Sequence, residues 1–93
     1  MIVLMGKWHV YIIRSLKTDF TYIGSTNNVQ RRLAEHNEGF VQSTKAFRPF
    51  EVIAYVTVMS ESKARSLERY FKTGSGKAIL RKRILTDGAP KGA

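Results

Sequence analysis

Five residues of this 93-residue chain could do polar chemistry together: Tyr11, Tyr22, Arg32, His36 and Glu68. Arg32 and His36 stand four apart in a segment that reads as a helix, so they share a face and can reach one site together. Glu68 follows Ala64 by four residues and precedes Phe71 by three, which puts its carboxylate within or at the edge of an apolar helical stripe. A carboxylate there is costly unless something binds it, either a cation or a pairing side chain such as Arg32 or a neighbouring lysine. Tyr11 and Tyr22 offer two phenols, although each alone also reads as a strand aromatic with a buried ring. His36 reads equally as a proton carrier and as a packing residue. Phosphodiester hydrolysis requires a base for water, a cation for the charge that builds on phosphate, and assistance to the leaving oxygen. This set contains each type. With no cysteine and two histidines, His9 and His36, thiolate zinc sites, cysteine nucleophiles and histidine cages are excluded, so a bound metal must rest on carboxylate.

The 16 Lys and Arg outnumber the 7 Asp and Glu to give a net charge of +9, a balance that attracts polyanions, of which nucleic acid is the commonest. A hydrophobic content of 43% with 25% charged residues belongs to a folded chain rather than a disordered one. The length allows one domain of roughly 100 residues. No apolar run approaches the roughly 20 residues that span a bilayer. Met1 to Met5 is too short for a signal-peptide core and lacks a basic flank. The absence of cysteine agrees with a reducing compartment, and a cytoplasmic location with no membrane partner is the expectation.

The elements that must position the five residues follow from the pattern. Trp8 to Ile13 and Phe20 to Ile23 are rich in aromatic and β-branched residues and flank a polar run, which predicts a hairpin turning around Leu16-Lys17 with Tyr11 and Tyr22 roughly opposed. Asn27 or Asn28 caps a helix through Val29, Leu33 and His36 that stops at Asn37-Glu38-Gly39. Val52 to Val58 predicts a third strand, apolar on both faces and therefore central. Ser60 caps a second helix carrying Ala64, Leu67 and Phe71, Thr73 to Gly76 punctuates, and Lys77 to Leu85 resumes as a shorter basic helix. The core is expected over 8–85 of a single 1–93 domain, with a flexible tail at 87–93.

The order Val10-Tyr11, ten spacer residues from Ile12 to Thr21, Tyr22-Ile23-Gly24, a helix with Arg32 and His36, and a later helix with Glu68 resembles the GIY-YIG nuclease family. The chain is similar above all to small stand-alone bacterial members, through the Arg31-to-Asn37 helix, Thr44 and Arg48-Pro49. The resemblance spans Trp8 to Leu85 and implies an α/β domain with a three-stranded antiparallel sheet flanked by helices. It implies a Mg²⁺-dependent endonuclease on DNA, with Mn²⁺ as a substitute. Glu68 would then be the metal ligand, Arg32 would grip the scissile phosphate, and Tyr11 or Tyr22, its phenol pKa lowered by metal and arginine, would prepare the water with His36 in support.

Arg31, Lys45, Arg48, Lys72 and Lys77 are the expected nucleic-acid contacts, neutralising phosphates while reading little sequence. No second DNA-reading module fits this length, so selectivity would come from DNA structure, as in repair or recombination, or from a protein partner; the chain itself would be a monomer or weak dimer. The alternative is a non-catalytic DNA- or RNA-binding module that keeps the fold. Two departures from the family pattern stand out. His9 occupies a position where glycine is usual, and no asparagine follows Glu68, where the polar Lys72-Thr73-Gly74-Ser75 segment stands instead.

Overall fold

Val10, Tyr11, Ile12 and Ile13 are consecutive, large and at most 1% exposed. Side chains alternate along a strand, so a run buried throughout needs cover on both faces and belongs inside a sheet. The computed structural model, which describes residues 7–85, has this run in β1 (Trp8–Ser15), between β2 (Thr21–Thr26) and β3 (Phe50–Val58) in an antiparallel sheet of order β2-β1-β3. The expected three-stranded antiparallel architecture with flanking helices is present, but β3 is an edge strand rather than the centre. The reason is visible in its side chains, since Glu51, Tyr55 and Thr57 are exposed. The Met1–Met5 segment and the tail expected at 87–93 lie outside the described residues.

The two faces of β1 build two cores. Val10 and Ile12 pack with Ile23, Ala64, Phe71 and Leu80 beneath α2 (Glu61–Phe71), and Trp8 borders this cluster. Tyr11 and Ile13 pack with Phe50 on the opposite face, where Val29 and Leu33 of α1 (Val29–Asn37) close over them. Each large side chain so buried stabilises the fold by roughly 1.5–3 kcal/mol relative to exposure. The sequence-predicted caps are made: the Asn28 side chain accepts from the Arg31 amide and the Ser60 side chain from the Lys63 amide.

Two local expectations are corrected. The hairpin register pairs Tyr11 with Gly24 and Ile13 with Tyr22, so the tyrosines are diagonal rather than opposed. Ser15 causes the shift. Its hydroxyl accepts from the Lys17 and Thr18 amides at 3.0 and 3.1 Å, and its own amide bonds Phe20 O at 2.9 Å, carrying the turn one step further along the chain. The third helix, α3 (Gly74–Ile79), starts at Gly74 rather than Lys77, because the Thr73 hydroxyl caps it by accepting from the Gly76 amide, and it widens into a π turn over Leu80–Ile84. Among the described residues no helix is long and apolar enough to cross a membrane.

Candidate active site

Tyr11 reaches from β1 under α1, where its hydroxyl lies 2.8 Å from His36 Nε2. His36 is fully buried, and its Nδ1 lies 2.7 Å from Thr44 Oγ1. Thr44 Oγ1 has one proton and directs it to Val41 O at 3.4 Å, so it accepts from His36 Nδ1–H. That tautomer leaves Nε2 as an acceptor, and the Tyr11 O–H donates to it. Burial, helped by the Arg32 charge, pushes the His36 pKa down to about 4, which keeps the ring neutral. Burial likewise pushes Tyr11 up to about 12 despite the opposing Arg32 hydrogen bond, the reverse of the lowering expected for a catalytic phenol. Gly24 faces Tyr11 across the strands, and a Cβ there would sit 2.5 Å from the Tyr11 oxygen. Only glycine lets the phenol lie flat against β2.

Arg32 joins this group through Nε, which donates to the Tyr11 hydroxyl at 3.4 Å, while Nη1 donates to Glu35 Oε1 at 2.8 Å. The Glu35 hydrogen bond holds the guanidinium charged, with burial working against it. Glu35 also pairs with Arg31 at 3.5 Å, and Arg31 Nη2 reaches Thr26 Oγ1 at 3.4 Å, so Arg31 is tied along the helix surface. Tyr22 differs from Tyr11. Its hydroxyl makes no hydrogen bond among the described residues, where no buried side-chain polar atom lacks a partner, so it is open to water.

Glu68 rises from α2 at the β2 edge, with Oε1 accepting from Ser25 Oγ at 2.7 Å and Oε2 from Lys72 Nζ at 2.8 Å. Burial acts to raise its pKa, yet the Lys72 and Ser25 hydrogen bonds hold the carboxyl below the usual range. The carboxylate is therefore ionised. The Lys72 ammonium also lies 5.8 Å from the Tyr22 ring centre, and the Tyr22 and Tyr11 rings are 6.3 Å apart. A closed circuit results: Tyr11, Tyr22, Lys72, Glu68, Ser25, and through neighbouring Gly24 back to Tyr11. Among the described residues no three of His, Cys, Asp or Glu gather as a metal cage. One ionised, partly buried carboxylate fits a hard divalent cation that keeps most of its waters and takes one or two carboxylates together with substrate phosphate, provided the Lys72 ammonium moves off it.

Tyr11, Tyr22, Arg32, His36, Glu68 and Lys72 are thus assembled around β2. Lys45 and Arg48 lie on the loop after α1, and Lys77 lies in α3 against Ile12, Thr21 and Ile23 on the opposite sheet face. Three participants escaped the sequence reading as partners. Thr44 orients His36 from eight residues away and Ser25 bonds Glu68 from 43 away, with no local signal for either contact. Glu35 could have been found, as an acid three residues after Arg32 on a helix. The Thr73 hydroxyl, in the segment that replaces the usual asparagine, is committed to capping and to Tyr70 O.

The description of the GIY-YIG catalytic domain matches residues 7–83. A UPF0213 protein of Staphylococcus haemolyticus is 36% identical over 78 residues, covering 83% of this chain and 94% of that protein. The UPF0213 protein YazA of Bacillus subtilis is 32% identical over 65 residues, 69% of this chain and 66% of YazA. An uncharacterised protein of Acanthamoeba polyphaga mimivirus is 61% identical over 33 residues, which is 36% of this chain and only 20% of the viral protein. The solution NMR structure of a UPF0213 protein from Bacillus halodurans superposes with a TM-score of 0.47 at 27% identity, covering 80% of this chain and 81% of that one. With the motif residues gathered at one sheet edge and the match running nearly end to end, the chain belongs to the GIY-YIG catalytic domain family, a family of nuclease domains.

Proposed function

We propose that the protein is a metal-dependent endonuclease that hydrolyses DNA phosphodiester bonds at the β2 edge. The observation that supports this best is the gathering of an open phenol and an ionised carboxylate on that circuit, with a charged guanidinium joined to it through Tyr11. Arg32 donates paired N–H groups to the non-bridging oxygens of the scissile phosphate, which displaces Glu35 from its guanidinium. Tyr11 holds the Arg32 Nε, and the buried His36–Thr44 pair holds Tyr11, so the guanidinium is aimed before substrate arrives. Tyr22 takes one proton from the attacking water on its phenol oxygen as its own phenolic proton passes to solvent, so the phenol ends neutral while the water oxygen bonds to phosphorus, the bond to the leaving oxygen breaks, and solvent water protonates that oxygen. Glu68 would hold Mg²⁺, with Mn²⁺ as substitute, and Lys72, whose ammonium already lies on that carboxylate, would yield to it. When bound, the cation supplies charge stabilisation to the phosphoryl oxygens. The division of labour makes Tyr22 the phenol that meets water and Tyr11 a positioning residue.

Arg31, Lys45, Arg48 and Lys77 would neutralise flanking phosphates, with selectivity set by DNA structure. The test is incubation with supercoiled plasmid and with branched DNA in Mg²⁺, Mn²⁺ or EDTA, beside Arg32→Ala and Glu68→Gln. Nicking that requires the divalent ion and both residues is expected. Salt-sensitive DNA binding without nicking in any metal would replace this reading with a binding module.

A further inference from the structure

A concavity of about 400 Å³ at the hairpin tip, away from β2, is lined by Lys17, Gln42, Lys45, Ala46 and Arg48. We propose that it is a second phosphate site, which holds the backbone of the nucleic-acid strand beyond the scissile bond. This deepens the nuclease reading and rests on it for the identity of the strand.

The charge arrangement is the first argument. Three cations from two chain segments line the concavity and no carboxylate does. None of the three forms an ion pair among the described residues, whereas Glu35, Glu51, Glu61 and Glu68 are all paired to arginine or lysine elsewhere. The adjoining hollow on the other side of the hairpin contains Lys17 and Arg14 but also Asp19 and Glu51. Like charges gathered in a chain of net charge +9 repel one another, and an anion removes that repulsion.

Preorganisation is the second. The two segments are locked together by Phe20 stacked on Phe47, with centroids 4.1 Å apart and planes 12° from parallel, and by Leu16 N–H donating to Pro49 O at 2.8 Å. Among the described residues Arg48 has no acid partner, and its guanidinium makes no hydrogen bond. Its guanidinium lies over Gly39, where a Cβ would run into Nη1, and Gly39 has a φ of +83° that only glycine adopts without strain. The guanidinium therefore rests at the C-terminal end of α1 with donors to spare.

Position identifies the ligand. Lys45 follows Thr44, the residue whose hydroxyl holds His36 and through it Tyr11, so the loop that lines the concavity is anchored to the same buried contacts that position Tyr11. Phe40, next to Gly39, is 73% exposed and offers an aromatic face of the kind on which nucleic-acid bases stack. A free inorganic anion has no use for such a face.

The test measures binding of a labelled branched DNA by anisotropy in EDTA across a series of salt concentrations. It compares the parent with Lys45→Ala/Arg48→Ala, with Lys17→Glu, and with a control, Lys63→Ala/Arg69→Ala, that removes the same charge as the first from the exposed side of α2. The loop variant should lose affinity about tenfold, and its log–log salt slope should be shallower by roughly 1.4–1.8, the loss of two phosphate contacts. Lys17→Glu, on the exposed hairpin tip, gives the same test without touching the loop. Affinity and slope unchanged in both cavity variants overturn the site, and so does an equal loss in the α2 control, which would mean generic charge. Amide shifts of Gln42 and Ala46 that saturate with micromolar inorganic phosphate and resist competition by DNA also overturn it, assigning the cavity to a free anion. Because binding is read without cleavage, a parent that binds through the cavity but never nicks refutes only the nuclease reading. A parent that nicks while the cavity variants bind unchanged refutes only the cavity.

Discussion

Acidification should destabilise this protein through His36 before any carboxylate matters. In the fold its pKa lies at about 4, against an ordinary 6.5, so the unfolded chain binds the proton more readily. The contribution to stability is therefore complete above pH 6.5 and is lost as pH falls toward 4. Full protonation corresponds to a loss on the order of 3 kcal/mol, and at pH 5 the loss is already about 2 kcal/mol. Glu35 and Glu68, both held below the usual carboxylate range, keep their contributions at pH 5 and lose them only on further acidification. Urea unfolding at pH 7.5 and pH 5 reads the effect directly. With a slope near 1 kcal/mol per molar urea for a domain this small, the midpoint should drop by about 2 M. In His36→Gln the absolute stability will differ, but the drop between the two pH values should shrink to about a quarter of that or less. An equal drop in parent and variant would refute the buried neutral imidazole, and with it the assignment of Tyr11 as its donor.

The two tyrosines should separate cleanly. Tyr11→Phe strips the partner from a buried His36 nitrogen and should cost about 1–3 kcal/mol, whereas Tyr22→Phe removes an open hydroxyl and should stay within about 0.5 kcal/mol while losing cleavage; thermal melts beside nicking assays check both. Gly24→Ala drives a methyl into the Tyr11 oxygen and should destabilise by roughly 1–3 kcal/mol and slow cleavage, and parent-like melting and nicking would contradict the flat packing of that ring. Glu35→Gln releases Arg32 from its ion pair in the free protein, so it should tighten DNA binding measured in EDTA, and weaker binding would show that Glu35 supports the guanidinium rather than competes for it. Thr44→Val keeps the shape at position 44 but leaves the His36 Nδ1 without its acceptor, so stability should fall by about 1–3 kcal/mol, a loss Thr44→Ser should largely restore.

Much of this was legible in the chain because it is local. The Asn28 and Ser60 caps, the shared face of Arg32 and His36, and the placing of Glu68 at the margin of an apolar stripe all follow from three- and four-residue spacing, and the structure shows each. The register differs from the expected pairing by two residues because a single serine hydroxyl, Ser15, moves the centre of the turn one residue along the chain, and a period-two pattern is blind to a two-residue shift. The centre of the sheet falls on β1 rather than β3 for a related reason. Val52 to Val58 is as apolar as Val10 to Ile13 in composition, and only the pairing partners decide which run is covered on both faces. The parts of the site that stayed hidden, Ser25 on Glu68 and Thr44 on His36, are tertiary contacts between polar residues with no periodicity to announce them.

The most direct test of the central claim is single-turnover cleavage of a branched DNA by the parent and by Glu68→Gln across a Mg²⁺ titration, with matched circular dichroism and matched DNA affinity in EDTA. Glutamine keeps an acceptor for Ser25 but removes the charge that a cation needs. The parent rate should rise and saturate with Mg²⁺, and the variant should remain on the order of 10²–10³-fold slower at every concentration. A variant within about threefold of the parent, far less than the loss of a group that stabilises the transition state, would contradict a metal-dependent site built on Glu68.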